Sequence, residues 1–266
     1  MHDSDILEVL FEYGLLPSDQ HPEIIEKAKA RNLPLGAFLV KNRFLSEKAL
    51  YRFIVDDLGM NSSHTFKFRD YRIQGKTISK FRTNGDFFGI FPLPNSRVVV
   101  TLCDVAGKGI EAALLTLLLA KLLRGGIDMT SVLPASFMKK INQVSRAFFE
   151  IDRYSTFVLV IVDLLTGIVE YSAAGSPPIF RYDYKEDSVS ELELPNIPIG
   201  IFDDFQFRGS RTDLNSGDSL LIFSDGAYEG ENLRGKPYGI PRLKRMFKSL
   251  AQETTTKIFS QLIFNW

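Results

Sequence analysis

Apolar residues recur at helical spacing over the first sixty positions. Ile6, Leu7, Val9, Leu10 and Phe11 form one face of a short helix over about residues 5–13, ending near Gly14. Pro22 suits the first turn of a second helix, with Ile24, Ile25 and Ala28 on one side, and Asn32-Leu33-Pro34 breaks it. Ser46 is a good N-cap for a third over about 47–58, where Leu50, Phe53, Ile54 and Leu58 share a stripe and Gly59 is the stop. The polar run 60–65 reads as a linker.

From Phe66 the period changes. Phe66-Lys67-Phe68-Arg69 and Tyr71-Arg72-Ile73-Gln74 alternate like half-buried strands. Val98 to Cys103 is a continuous apolar run, as in a strand buried on both faces. Ile110 to Leu123 is apolar almost all round, which predicts a helix sandwiched between layers, stopped by Gly125-Gly126. Pro134 opens another helix, striped by Phe137, Ile141, Val144 and Phe148. Strands are predicted at 155–162, 167–173, 179–183 and 219–223, with a turn at Asp163–Gly167 making 155–173 a hairpin. A helical pair at about 239–249 and 254–264 closes the chain. Helices set between runs of antiparallel strands predict an α+β layered fold, preceded by a small helical domain.

Composition narrows the function. Lys+Arg and Asp+Glu both count 32, so no net field gathers nucleic acid or an anionic membrane. The acidic start, Asp3-Ser4-Asp5, is unlike a signal peptide, and Ala112–Leu123 is too short to span a bilayer, so the expectation is a cytoplasmic protein. Cys103 is the single cysteine, which excludes an intrachain disulfide, and its place in a buried strand predicts a core role. The histidines are His2, His21 and His64, so a Ser-His-Asp relay or His-ligated zinc is not expected in the larger region.

Three aspartates then stand out, each beside glycine at the end of a strand. They are Asp86 after Asn84-Gly85, Asp104 before Val105-Ala106-Gly107-Lys108-Gly109, and Asp225 before Gly226. Each alone reads equally as a helix cap or an Asx turn. Together, if the strand ends converge, the carboxylates repel one another and a divalent cation resolves the conflict; oxygen-only ligands favour Mg²⁺ or Mn²⁺ over zinc.

Gly85-Asp86-Phe87-Phe88, Asp104 to Gly109, the long apolar helix, Ala174-Gly175-Ser176-Pro177-Pro178, Pro198-Ile199-Gly200, Gly217 to Gly226 and Tyr238-Gly239 form an ordered series over about 70–250. The series resembles the stage II sporulation E and stress-response type of PPM (type 2C) metal-dependent Ser/Thr protein phosphatases. The resemblance implies a β-sandwich of two antiparallel sheets flanked by helix pairs, with a Mn²⁺ or Mg²⁺ pair at one edge. Asp104 would bridge both ions, the Val105 carbonyl and Asp225 would each bind one, and Asp86 would join the same cluster. A metal-activated water would serve as nucleophile, with no protein nucleophile. The substrate would be a phosphoserine or phosphothreonine protein, in bacteria often an anti-sigma-factor antagonist; the oligomeric state stays open, with a homodimer among the options.

Leu33-Pro34-Leu35-Gly36, Phe38-Leu39-Val40, Phe44 to Glu47 and Leu58-Gly59 also resemble the helical N-terminal module of type II secretion ATPases. The expected division is therefore 1–62 for regulation or docking and 66–266 for catalysis. Three departures from the phosphatase pattern stand beside the resemblance. Asn84 replaces a glycine, Ser176 replaces a histidine, and no Asp-Asp-x-Thr strand precedes Trp266, so a C-terminal strand and one metal carboxylate are expected to be missing. The alternative function is a catalytically impaired, phosphatase-like regulatory binding protein.

Overall fold

Residues 3–30, 35–54, 63–77, 86–105, 110–121, 133–146, 154–231 and 235–253 are described by the structure, a computed structural model. The chain begins with helices α1 (Asp3–Glu12), α2 (His21–Lys29), α3 (Leu35–Lys41) and α4 (Glu47–Arg52). Strands β1 (Ser63–Phe68), β2 (Tyr71–Lys76), β3 (Asp86–Leu93) and β4 (Arg97–Val105) follow, then helices α5 (Ile110–Lys121) and α6 (Pro134–Arg146). Next come β5 (Ser155–Asp163), β6 (Ile168–Ala174), β7 (Ile179–Asp183), β8 (Ser188–Leu192), β9 (Ser210–Asp213) and β10 (Ser219–Leu221). The short helix α7 (Gly226–Glu229) and the helix α8 (Ile240–Leu250) complete the described elements.

The strands form a five-stranded sheet in the order β3-β4-β5-β6-β9, a three-stranded sheet in the order β10-β7-β8, and the hairpin β1-β2, with every pairing antiparallel. Alternation assigns each face of the large sheet. Val99, Cys103, Phe157, Leu159 and Ile161 face α5 and α6. Phe88, Val98, Val158 and Val160 point the other way and pack with Ile179 of β7. The outer face of the small sheet, through Phe180, Tyr182 and Leu221, packs on Leu243 and Phe247 of α8. The result is the predicted α+β sandwich of antiparallel sheets with helices outside.

Helix α5 is buried between the N-terminal helices and the large sheet. Ile110, Leu114 and Leu117 belong to one buried cluster that includes Leu10, Leu39 and Leu50 of α1, α3 and α4 as well as the large sheet. Lys121 of α5 also pairs with Glu12 of α1. Among the described residues no helix is long and apolar enough to cross a membrane.

Several predicted boundaries shift. Ser63-His64-Thr65 are not linker but the start of β1, where they pair with Lys76, Gly75 and Gln74. β3 was not anticipated, because Gly89 and Pro92 interrupt its apolar alternation; Pro92 is tolerated on the strand at the sheet's edge. β8 and β9 are short and half-exposed, so they carry little apolar signal. β10 ends at Leu221, two residues before the predicted end at Phe223. The break at Asn32–Pro34, the stop at Gly59, Gly125-Gly126 and the helix at 254–264 lie outside the described residues.

Candidate metal centre

Antiparallel register sets the first half of the site. Asp86, the first residue of β3, lies directly opposite Asp104 near the end of β4. Residues directly opposite each other point to the same face, so both carboxylates project on the side of the sheet that carries Phe88 and Leu102. Thr156 of β5 is next in the row, opposite Asp104. Val105 points to the opposite face and is buried in the helix-side core, so anything it offers a ligand must come from its backbone.

The second half comes from the small sheet. After β10 the chain turns through Ser224 and Asp225 into α7. Asp225 is thus not at a strand end, as the sequence suggested, but at the position before a one-turn helix. Its backbone carbonyl accepts from the amides of Tyr228 and Glu229, both at 2.9 Å, while its carboxylate makes no capping bond. The Ser224 hydroxyl donates to Asp86 Oδ2 at 3.0 Å and so joins the two halves.

Asp104 senses all of these groups. Burial, the charge of Asp86, a hydrogen bond shared with Asp86, and the charges of Asp225 and Glu229 push its carboxyl up to about 7. Among the described residues, every charged neighbour that moves it is a carboxylate. Asp86 and Asp225 therefore both act electrostatically on Asp104. Glu229 was not singled out from the sequence, although its spacing four residues after Asp225 puts both on one side of a helical turn. The Tyr228 phenol also reads the cluster; burial first, then Glu229, Asp225 and Asp104, raise it.

The donor set suits a hard divalent cation, being carboxylate oxygen without sulfur or imidazole. Among the described residues, however, no three His, Cys, Asp or Glu side chains close into a ready-made cage. Residues 106–109 and 254–266 lie outside the described residues.

Cys103 is fully buried, and burial followed by the charges of Asp104 and Asp86 holds its thiol well above the usual range. A thiol so held is not a nucleophile. The glycine-proline motifs are structural. Gly175 has φ +63°, and a Cβ there would lie 2.4 Å from Pro198 Cγ, so only glycine fits. The Gly200 amide donates to Asn142 Oδ1 on α6 at 2.8 Å.

Comparison with known proteins agrees with the fold. The sequence model of the family described as stage II sporulation protein E (SpoIIE) matches residues 94–265, which takes in Asp104, Val105 and Asp225 and begins just after Asp86. The chain is 26% identical over 183 residues to the phosphoserine phosphatase RsbU of Bacillus subtilis (strain 168), covering 68% of this chain and 54% of that protein. It thus spans about half the length of that relative. The SiaA-PP2C domain of Pseudomonas aeruginosa superposes with a TM-score of 0.61 at 19% identity, over 82% of this chain and 84% of that one. A structure of the PP2C phosphatase domain and a fragment of the regulatory domain of SpoIIE from Bacillus subtilis gives 0.53 at 26% identity, over 69% and 55%.

Proposed function

The chain belongs to the stage II sporulation protein E (SpoIIE) family, and from that premise we propose that it is a metal-dependent protein phosphatase acting on phosphoserine or phosphothreonine of a signalling partner. The observation that carries the proposal is the pairing of Asp86 opposite the half-buried Asp104, with the Ser224 hydroxyl 3.0 Å from Asp86 Oδ2 bringing the turn that holds Asp225 to the same place. Carboxylates that repel one another at one sheet edge are a poor arrangement for stability and a good one for gathering divalent cations.

In this reading Asp86, Asp104, Asp225 and the Val105 carbonyl would hold Mn²⁺ or Mg²⁺. When bound, such ions lower the pKa of water and polarise a phosphoryl group. The chain's own contribution is to fix the donors. β3 and β4 hold Asp86 and Asp104 by ladder hydrogen bonds, and the turn into α7 holds Asp225. The partner is a phosphoprotein, of which an anti-sigma-factor antagonist is the class implied by resemblance, and the setting is the cytoplasm. We assign catalysis to residues 66–266 and regulation or docking to 1–62.

Turnover of a phosphoserine peptide with and without Mn²⁺ tests the proposal. Wild-type protein should hydrolyse it only with metal, and Asp104→Ala should lower the rate at least ~100-fold. Equal rates for the two proteins contradict the proposal. Mn²⁺ binding without hydrolysis supports the alternative, a phosphatase-like regulatory binding protein.

A further inference from the structure

We propose that Ser224 is a positioning residue of the metal centre, its hydroxyl fixing the carboxylate of Asp86 at the distance and orientation that Asp225 requires. The inference rests on the metal-dependent reading above and deepens it.

The bond spans the molecule. Ser224 Oγ lies 3.0 Å from Asp86 Oδ2, and the two residues are 138 positions apart. Asp86 opens an edge strand of the large sheet, and Ser224 follows a strand of the small one. The Ser224 carbonyl accepts from the Ala227 amide at 3.0 Å, in the same turn whose Asp225 carbonyl accepts from Tyr228 and Glu229. One turn therefore places both the Ser224 hydroxyl and the neighbouring Asp225. The hydroxyl works as a ruler between Asp225 and Asp86.

A hydroxyl donating to a carboxylate is a charge-assisted bond, stronger than a neutral one. It holds one Asp86 oxygen and restricts rotation of the side chain. Without it, Asp86 has to be ordered when the ion binds, and that entropy is lost from affinity. Groups that orient a ligand in this way typically change metal affinity 10–100-fold. The other role open to this bond, a strut between sheets, predicts a change in metal-free stability instead.

Calorimetric Mn²⁺ titration and metal-free melting of the full chain separate the two roles. Ser224→Ala should weaken Mn²⁺ binding about tenfold with its metal-free Tm within ~2 °C of wild type, since one half-buried hydroxyl is worth about 1 kcal/mol. Ser224→Thr, which keeps the hydroxyl, should restore the affinity. In an Asp86→Ala background, Ser224→Ala should have no further effect on affinity. The inference is overturned if Ser224→Ala binds Mn²⁺ like wild type, whatever its Tm. It is equally overturned if Ser224→Thr binds as weakly as Ser224→Ala. Wild-type protein that takes up no Mn²⁺ defeats the metal-dependent reading itself, an outcome distinct from either.

Discussion

Asp163 shows how much one side chain does at a turn. Its Oδ1 accepts from the amides of Leu165 and Thr166, both at 2.9 Å, and Gly167 follows at φ +75° to close the hairpin between β5 and β6. The Thr166 amide above all, with that of Leu165, holds its carboxyl below the ordinary range. A depressed folded pKa stabilises the fold above the unfolded value, about 3.9, and that stabilisation is lost as pH falls through the folded value. Asp163→Ala should therefore melt below wild type at pH 7, with the gap closing in acid below about pH 3.9. Melting curves between pH 2 and 7 check this, and a gap independent of pH contradicts it. This turn was legible in sequence because all its parts lie within five residues. Asp86 and Asp225 stand out in sequence for the same reason, each beside a glycine, and Asp104 by the glycine three residues on. Ser224 was not, because its partner is supplied by register and sheet packing rather than by spacing.

At the scale of elements, α6 shows what periodicity reads and what it omits. Of its predicted stripe, Phe137 and Ile141 are fully buried, Val144 is half-buried, and Phe148 lies outside the described residues. Asn142, beside that stripe, is also buried and was passed over. Its Nδ2 donates to the carbonyls of Phe202 and Asp203 at 2.8 and 3.2 Å, and its Oδ1 accepts from Gly200. A polar residue next to a buried stripe is invisible to a hydrophobic pattern, yet it ties the loop after Ile199 to the helix. Ile199 itself pairs with Ser155, next to the Val105 end of β4. Asn142→Ala removes the three hydrogen bonds of a buried side chain and should destabilise the protein by about 1–3 kcal/mol, a fall of ~2–10 °C in Tm. Tm unchanged within 1 °C shows that the loop does not depend on the clamp. Strand β3 was hidden for a related reason. Its Gly89 and Pro92 argue against a strand on propensity, whereas pairing along its whole length with β4 decides the matter.

The described residues form a stack of layers, and helices α1 to α4 are part of it. Leu10, Leu39 and Leu50 share their buried cluster with Leu114 and Leu117 of α5 and with Phe87 and Cys103 of the sheet. The sequence predicted α5 as a sandwiched helix but did not say what would cover it, since contacts between distant segments leave no periodic trace. Removal of residues 1–62 strips that cover from the helix that follows the Asp104 strand. A fragment starting at Ser63, where β1 begins, should melt ~10 °C below the full chain and self-associate through the bared face. Differential scanning calorimetry and light scattering test this, and a monomeric fragment with full-chain Tm rules it out. If catalysis belongs to residues 66–266, fragment that remains folded should still hydrolyse a phosphoserine peptide with Mn²⁺.

The convergence of carboxylates at Asp104 is the centre of the account, and equilibrium Mn²⁺ binding measures it most directly. Calorimetric titration of the full chain should show saturable Mn²⁺ uptake and a matching rise in Tm, both lost in Asp104→Ala. Metal-free Asp104→Ala should melt at or above the wild-type temperature, since one of four repelling carboxylates has gone. Undiminished Mn²⁺ uptake by Asp104→Ala, with the same rise in Tm as wild type, would contradict the assignment of this cluster as the metal centre.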